Sequence, residues 1–379
     1  MCENHKNHKE NQYFQLVPKK EKKKNIRYTI FLSLLLSISI ILIILYFTID
    51  EQTIQYLTET PINYTFFLAA AAINIVYWGL WGARLKVLST SIEPTFNIGL
   101  WESTKIVIAN LFLANITPSM AGGEPVRIYL LNKDGLHAGG ATAAVLGERL
   151  LDALFLLICV PFAFYIFSQY ITSGIFNTLL YVAIGFFIIV IVLFAFALKK
   201  PERTKRFVLW IARKTSQFSK NPQKYENIVE KISIEIDNFH QSMMFFVTKG
   251  KKTFLFAGML TALFWMTGWI IPILILLGLG ITPFVIESSA AQILLVIIAM
   301  MPTTPGSTGI SEGGTAALYG VFIPASLIGV FVLLYRFITY HMGLILGVIF
   351  QYRIFKSLAD FSMETIDEKK ETKKGIIRK

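Results

Sequence analysis

Cysteine, histidine and charge are all scarce in this chain. Of its 379 residues only two are cysteines. Cys2 lies in a polar leader and Cys159 within an apolar run, so no disulfide framework is available to staple a small secreted fold. There are five histidines, and no His or Cys pair in the apolar runs has metal-ligand spacing. The sequence therefore gives no basis for metal catalysis, and no cofactor is expected. Charged residues make up 16% of the chain against 54% hydrophobic residues, with a mean hydropathy of +0.57. That is too apolar for a soluble domain of this length and reads as a multi-span membrane protein. A long polar segment is missing too. The largest, 199–252, has only about 50 residues, well below the usual size of a transferase domain.

The charge that is present carries an excess of one sign, +12 at neutral pH, gathered at the termini and in one loop. Lysine clusters beside apolar runs fit the cytoplasmic face of a membrane with its anionic lipids, and no nucleic-acid partner is expected. The leader, 1–27, ends in Lys19, Lys20, Lys22, Lys23, Lys24 and Arg27. The apolar run 28–48 behind it lacks a small-residue cleavage site, so it reads as a spanning helix and not a signal peptide. Further full spans are predicted at 62–83, 142–167, 174–198, 253–279 and 324–350. The outer loops between them lack Lys and Arg, whereas 199–252 is strongly basic. Both termini and that loop should therefore be cytoplasmic in a multi-pass protein of the cell membrane. Within the loop Tyr225, Ile228, Val229, Ile232, Ile236, Phe239 and Met243 recur at helical spacing, the pattern of an amphipathic helix lying on the membrane or on the spans. The tail, 356–379, is charged and cytoplasmic.

Two apolar runs are too short for the ~30 Å hydrocarbon core. The run 104–117 ends in PSMAGGEPVR at 118–127, and 288–301 ends in MPTTPGSTGISEGG at 301–314. Each is expected to enter the membrane and turn back, because irregular backbone at that depth survives only inside protein or beside a water-filled cavity. Counting sides, the first break dips in from the cytoplasm and the second from outside. The expected fold is an all-α membrane protein with about six full transmembrane helices and two re-entrant broken helices in one domain, 28–355. Its halves, 28–167 and 174–350, have the layout of a 3+3 inverted-topology repeat.

GGEPVRIYLL, GERLLD at 147–152, PTTPGSTGISEGG and LLYRFITYHMG at 333–343 occur in that order. Together they resemble the lysylphosphatidylglycerol synthase transmembrane-region family, whose members are also called flippase-like membrane proteins. The resemblance covers roughly 28–355. It implies a membrane unit that moves a lipid made by a separate soluble transferase domain, which this chain has no segment large enough to supply. A separate lipid-modifying enzyme is thus a possible partner.

The candidate site residues gather at the breaks and the spans beside them. Gly122 and Gly123, with Gly306 and Gly309 in the second break, allow close backbone approach and can present amides to an anion; an ordinary turn would use them as well. Glu124 and Arg127, three apart, could pair on one helix or serve a ligand, Arg127 being suited to phosphate by its fork. Glu148, Arg149 and Asp152 follow at the start of a span, where Arg149 and Asp152 could pair locally. The spare acid could meet Arg127, Arg84 or Arg336, or receive a cationic headgroup. Arg336 falls near mid-membrane, where an unpaired charge is expensive and function is the default reading. Glu312 needs Arg336, water or a proton. Lys105, Asn110 and Asn115 share the first short run and could line a polar cavity or join helices.

These residues point to transport of a phosphate-bearing lipid, a phospholipid or a polyprenyl-phosphate lipid, without chemistry on it. Two enzyme readings compete. GISEG at 309–313 matches G-x-S-x-G, so Ser311 and His341 could form a hydrolase dyad; the family name suggests lipid modification at the membrane face.

Overall fold

The computed structural model describes residues 50–350 apart from 94, 117–122, 171–173, 204, 207–208, 211–221, 300–306 and 348, together with residues 39, 42, 43 and 46. The leader, the run 28–48, the tail and the tips of both breaks, including Gly122 and Gly306, lie outside the described residues. Among those described, the regular structure is helical throughout.

The elements are α1 (Glu51–Glu59), α2 (Tyr64–Ile92), α3 (Leu100–Ile116), α4 (Gly123–Lys133), α5 (Ala138–Phe167), α6 (Gly174–Lys199), α7 (Pro222–Val247), α8 (Lys251–Gly278), α9 (Val285–Ala299), α10 (Ile310–Tyr319) and α11 (Ala325–Arg336). A π-helical turn, Phe337–His341, follows α11 directly, and an apolar helical stretch runs from Ala325 to Gly347. Among the described residues four helices are long and apolar enough to cross a membrane: α2, α5, α8 and the stretch Ala325–Gly347. The predicted run 174–198 forms α6, a helix of 26 residues. The short runs form α3 and α9, of 17 and 15 residues.

Helix starts follow local chemistry. Asp50 accepts from the Thr53 amide at 2.8 Å, while the Thr53 hydroxyl reaches the Ser326 carbonyl at 2.8 Å and ties α1 to the start of α11. Asn63 caps α2 by accepting from the Thr65 amide, and the His137 ring caps α5 by accepting from the Gly140 amide at 2.7 Å. Such acceptors satisfy amides that a helix end leaves without partners.

The outer faces of the long helices display Leu68, Ile158, Leu255 and Met259, each at least 60% exposed. A contiguous apolar surface of this kind has a hydrocarbon environment as its natural solvent. Inside, α2 and α8 pack together along their lengths, with Tyr77 stacked on Phe264 at 4.2 Å between centroids. Gly82 lets α2 approach α3 so closely that a Cβ there would lie 2.9 Å from the Thr104 Cα and amide nitrogen. The arms of each broken unit also pack on each other. Gly123 of α4 rests against Asn110 and Ala114 of α3, and Gly314 of α10 against Leu295 and Ile298 of α9.

The amphipathic segment is α7, and it packs on the spans. Met243 and Phe246 are buried with Leu88, Ala143, Ala144, Leu151 and Ala257 of α2, α5 and α8. The Glu235 carboxylate accepts from the Gly139 amide at 2.5 Å, so α7 also caps the start of α5.

Candidate functional site

Two ionic clusters sit within the bundle. The first joins α2, α4 and α5. Arg84 donates from Nε to Glu148 Oε1 at 3.1 Å and from Nη1 to Asp152 Oδ1 at 2.6 Å, with Thr261 Oγ1 at 3.2 Å. Arg127 donates through Nη1 to the other oxygen of Glu148. Arg149 donates to Glu124 Oε1 from Nε at 3.0 Å and Nη2 at 2.6 Å, and from Nη1 to Asp152 at 3.3 Å. Three arginines thus face three carboxylates, and the cluster is electrically balanced. The Trp265 indole adds a hydrogen bond to Asp152 at 3.1 Å.

The second cluster joins α10 and α11. Arg336 Nε donates to Glu312 Oε1 at 2.9 Å, while Glu312 Oε2 accepts from the Gly309 amide at 2.6 Å. Gly309 has φ +89°, a left-handed conformation that glycine adopts without strain. Each arginine of the two clusters also lies over a ring. Arg84 sits over Phe264 at 4.7 Å, Arg127 over Trp81 at 5.4 Å, Arg149 over Trp81 at 5.8 Å and Arg336 over Tyr340 at 4.2 Å. Such contacts stabilise a desolvated guanidinium by about 2 kcal/mol at most sites of this kind.

Between the clusters lies a cavity of about 590 Å³, within the roughly 300–1,000 Å³ range of small-molecule sites. Glu124, Arg149 and Asp152 contribute to its wall from one side and Arg336, Gln292 and Tyr335 from the other. Trp78, Trp81, Trp265 and Trp269 supply aromatic faces between them. On the second side Tyr335 donates to Gln292 at 2.7 Å and Gln292 to the Tyr319 hydroxyl at 2.9 Å, so its polar wall is held in place by hydrogen bonds.

The pairing differs from the simplest expectation in three respects. Glu124 and Arg127 do not pair despite their spacing of three; Glu124 meets Arg149 and Arg127 turns inward to Glu148. Arg127 is fully buried and is not part of the cavity wall, whereas Arg149 is. The arginines on the cavity wall are therefore Arg149 and Arg336. The local Arg149–Asp152 pair does form, but as one strand of a wider network. Gly123 supports the close packing of α3 and α4, and Gly309 the start of α10. Asn110 and Asn115 line the cavity, while Lys105 pairs with Glu102 at 3.1 Å on the exposed side of α3. Ser311 also lines the cavity, and His341 Nδ1 lies 3.1 Å from the Arg336 carbonyl.

Arg84 is the hub of the first cluster. The sequence left it, with Arg127 and Arg336, as one of three arginines that the spare acid of Glu148 and Asp152 could meet, and it takes both acids. The cavity tryptophans gave no signal, because aromatic residues are common throughout spans.

The chain matches the family described as lysylphosphatidylglycerol synthase TM region over residues 30–347. A UPF0104 membrane protein of Archaeoglobus fulgidus is 32% identical over 331 residues, covering 86% of this chain and 97% of that protein. UPF0104 membrane proteins of Methanocaldococcus jannaschii and Pyrococcus horikoshii are 27% and 22% identical, over 83% and 84% of this chain and 92% and 95% of their own. With each of the four recognised motifs contributing a residue to the wall of one cavity, and a match that spans nearly the whole bundle, the chain belongs to the lysylphosphatidylglycerol synthase transmembrane-region family of multi-pass membrane proteins.

Proposed function

We propose that the protein moves a phosphate-bearing lipid between membrane leaflets and performs no chemistry on it. The observation that carries this reading is the cavity itself, with an arginine on each side and aromatic faces between. Arginine presents two parallel donors to two phosphate oxygens. The carboxylates opposite them offset the charge when no lipid is bound. Phospholipids and polyprenyl-phosphate lipids both carry the required group.

The same reading arranges the helices as an inverted repeat. In each half a long helix, two short packed arms around a break, and a second long helix follow in order: α2, α3, α4 and α5, then α8, α9, α10 and the stretch from α11 onward. The run 28–48 and α6 would complete six spans, with α3/α4 and α9/α10 re-entering from opposite faces. Both termini and α7 would then be cytoplasmic. Single cysteines at Lys133 and Glu287 test this with an impermeant thiol reagent on intact cells. Protection at 133 with labelling at 287 is expected, and the reverse pattern would overturn the topology.

Function is tested in proteoliposomes by following NBD-labelled phosphatidylglycerol and an NBD-labelled polyprenyl-phosphate hexose with external dithionite. Protein-free vesicles carrying the same labelled lipids are the control. Arg336→Lys keeps the charge and loses the fork. Losing one charge-assisted hydrogen bond, about 1.5–3 kcal/mol, should slow translocation at least tenfold while the protein stays folded. Wild-type protein that moves neither phosphate lipid faster than the control would refute the function; full transport by folded Arg336→Ala would remove that residue from it.

A further inference from the structure

The two halves carry the same device at the same place. Glu124 is the second residue of α4 and Glu312 the third of α10, so each acid opens the short helix that follows a break. Each pairs with an arginine on the next long helix, 25 residues on for Arg149 and 24 for Arg336. Arg149 is the twelfth residue of α5 and Arg336 the twelfth of α11. Both guanidinium groups lie over an aromatic ring, and both line the same cavity.

The pairs differ most in access, and Arg149 alone has a second carboxylate, Asp152 at 3.3 Å. The side chains of Arg149 and Glu124 are 40% and 34% exposed, whereas those of Arg336 and Glu312 are 7% and 0% exposed. Arg336 also keeps Nη2 buried without a hydrogen-bond partner among the described residues. A buried guanidinium donor in that state costs free energy until an acceptor reaches it, and among the described residues no second carboxylate pairs with Arg336. Every acid of the two clusters already accepts from an arginine.

We infer that the cavity holds two equivalent phosphate positions, one at Arg149 and one at Arg336, each occupied in the empty protein by its own carboxylate, Glu124 or Glu312. This rests on the transport reading above and deepens it. The carboxylate is a stand-in for the ligand: a phosphate oxygen takes the same Nε edge of the arginine and releases the acid with the short helix that carries it. The exposed pair marks the half that is open, and the occluded pair locks the half that is shut. In the opposite state the roles exchange. Two inverted halves with one device each give two states of equal construction, which is what alternating exposure to the two leaflets requires. A ligand can drive such an exchange only by binding the two states differently, and competition with a built-in carboxylate supplies that difference.

The sign of each perturbation follows. Glu312→Gln weakens the lock of the state described here and moves the population to the opposite one. Glu124→Gln weakens the lock of the opposite state and holds the population in this one. Glutamine keeps an acceptor for the arginine, so local geometry survives. The readout is a reporter cysteine at Ala153, on the cavity wall, in a chain with Cys2 and Cys159 replaced by Ser. Its reaction with an impermeant maleimide is timed from each side in oriented vesicles. The ratio of the two rates should shift in opposite directions in the two variants, by at least about tenfold, or about 1.4 kcal/mol. Inorganic phosphate or glycerol 3-phosphate should slow the reaction in the wild type and less in Arg149→Gln.

Shifts in the same direction, or none in either variant, would overturn the inference. Should Glu312→Gln fail to fold, Glu312→Asp, which keeps the charge and shortens the reach, must shift the ratio the same way. None of these rates depends on lipid transport. Opposite shifts in a protein that moves no phosphate lipid would sink the proposed function and leave the paired device standing, and active transport with unshifted ratios would do the converse.

Discussion

Glu148 and Glu124 carry the same charge in the same cluster, and the structure predicts very different consequences for removing them. Glu148 is fully buried and bridges two fully buried arginines, Arg84 through Oε1 and Arg127 through Oε2. Glu148→Ala leaves Arg84 with Asp152 and Thr261. Arg127 fares worse. Its Nε and Nη2 already have no hydrogen-bond partner among the described residues, so the variant leaves it only the face of Trp81 at 5.4 Å. Removing one member of a buried pair costs about 3–5 kcal/mol, because the surviving charge stays desolvated. Glu124 is a third exposed, and Arg149 retains Asp152 at 3.3 Å. Glu124→Ala should therefore cost no more than about 1 kcal/mol, as exposed pairs do.

The pair of variants is measured by denaturant midpoint in one fixed detergent, with the slope checked for constancy. Glu148→Ala is expected to lie several kcal/mol below the wild type and Glu124→Ala within about 1 kcal/mol of it. The double variant Arg127→Met with Glu148→Ala removes the stranded charge as well as its partner. It should be more stable than the sum of the single changes by about 2 kcal/mol or more, within the range of coupling between contacting residues. Equal losses for Glu148→Ala and Glu124→Ala, or an additive double variant, would show that burial does not rank these carboxylates and that the network is not what holds α2, α4 and α5 together.

Two further outcomes follow from packing. Gly82→Ala places a methyl group against the Thr104 backbone at 2.9 Å, whereas Gly79→Ala, one turn earlier, meets nothing within 4 Å; only the first should lower the midpoint, by about 1–3 kcal/mol as overpacking does, and a neutral Gly82→Ala would refute the close crossing of α2 and α3. Glu235→Ala removes the acceptor for the Gly139 amide and should speed amide exchange at the start of α5 and over Ser233–Val247 while leaving α8 and α9 unchanged; unchanged exchange at Gly139 would detach α7 from this role.

Four of the long spans were legible, among the described residues α2, α5, α8 and Ala325–Gly347, because hydrophobic runs of the right length have few alternatives in a chain this poor in charge. The two short runs were legible as short helices, α3 and α9, because glycine clusters follow them. Partner choice among charges was not. Glu124 and Arg127 sit at a spacing that invites a local pair, yet α4 presents them to different neighbours, and the observed partners lie 25 and 21 residues away. Spacing reports what one helix can satisfy alone, whereas a buried cluster is decided by which helices meet. Arg84 shows the same limit. The sequence left three arginines open to the acids of α5, and it is the crossing of α2 with α5 that gives Arg84 both Glu148 and Asp152.

The π turn after α11 had no sequence signal at all, and its place explains how one helix serves both sides of the cavity. At its C-terminal end, Tyr335 and Arg336, the helix is anchored to the second half, through Glu312 and through the Tyr335 bond to Gln292. Beyond it the anchors belong to the first half. Asn74 of α2 donates to the Ile338 carbonyl at 2.7 Å, the Tyr340 hydroxyl donates to the Asn115 carbonyl at 3.3 Å, and Gly347 lies against Phe112. A regular α-helix has a fixed phase of 3.6 residues per turn, so it cannot meet both sets of partners unless they happen to agree. A widened turn at Phe337–His341 resets the phase between them, as single π turns at functional sites do. Arg336, the last residue before the reset, is therefore aimed by the second half while its ring partner Tyr340 is aimed by the first. A shift between the groups that hold Arg336 and those that hold Tyr340 would therefore change the contact of the guanidinium with the ring, 4.2 Å from its centroid.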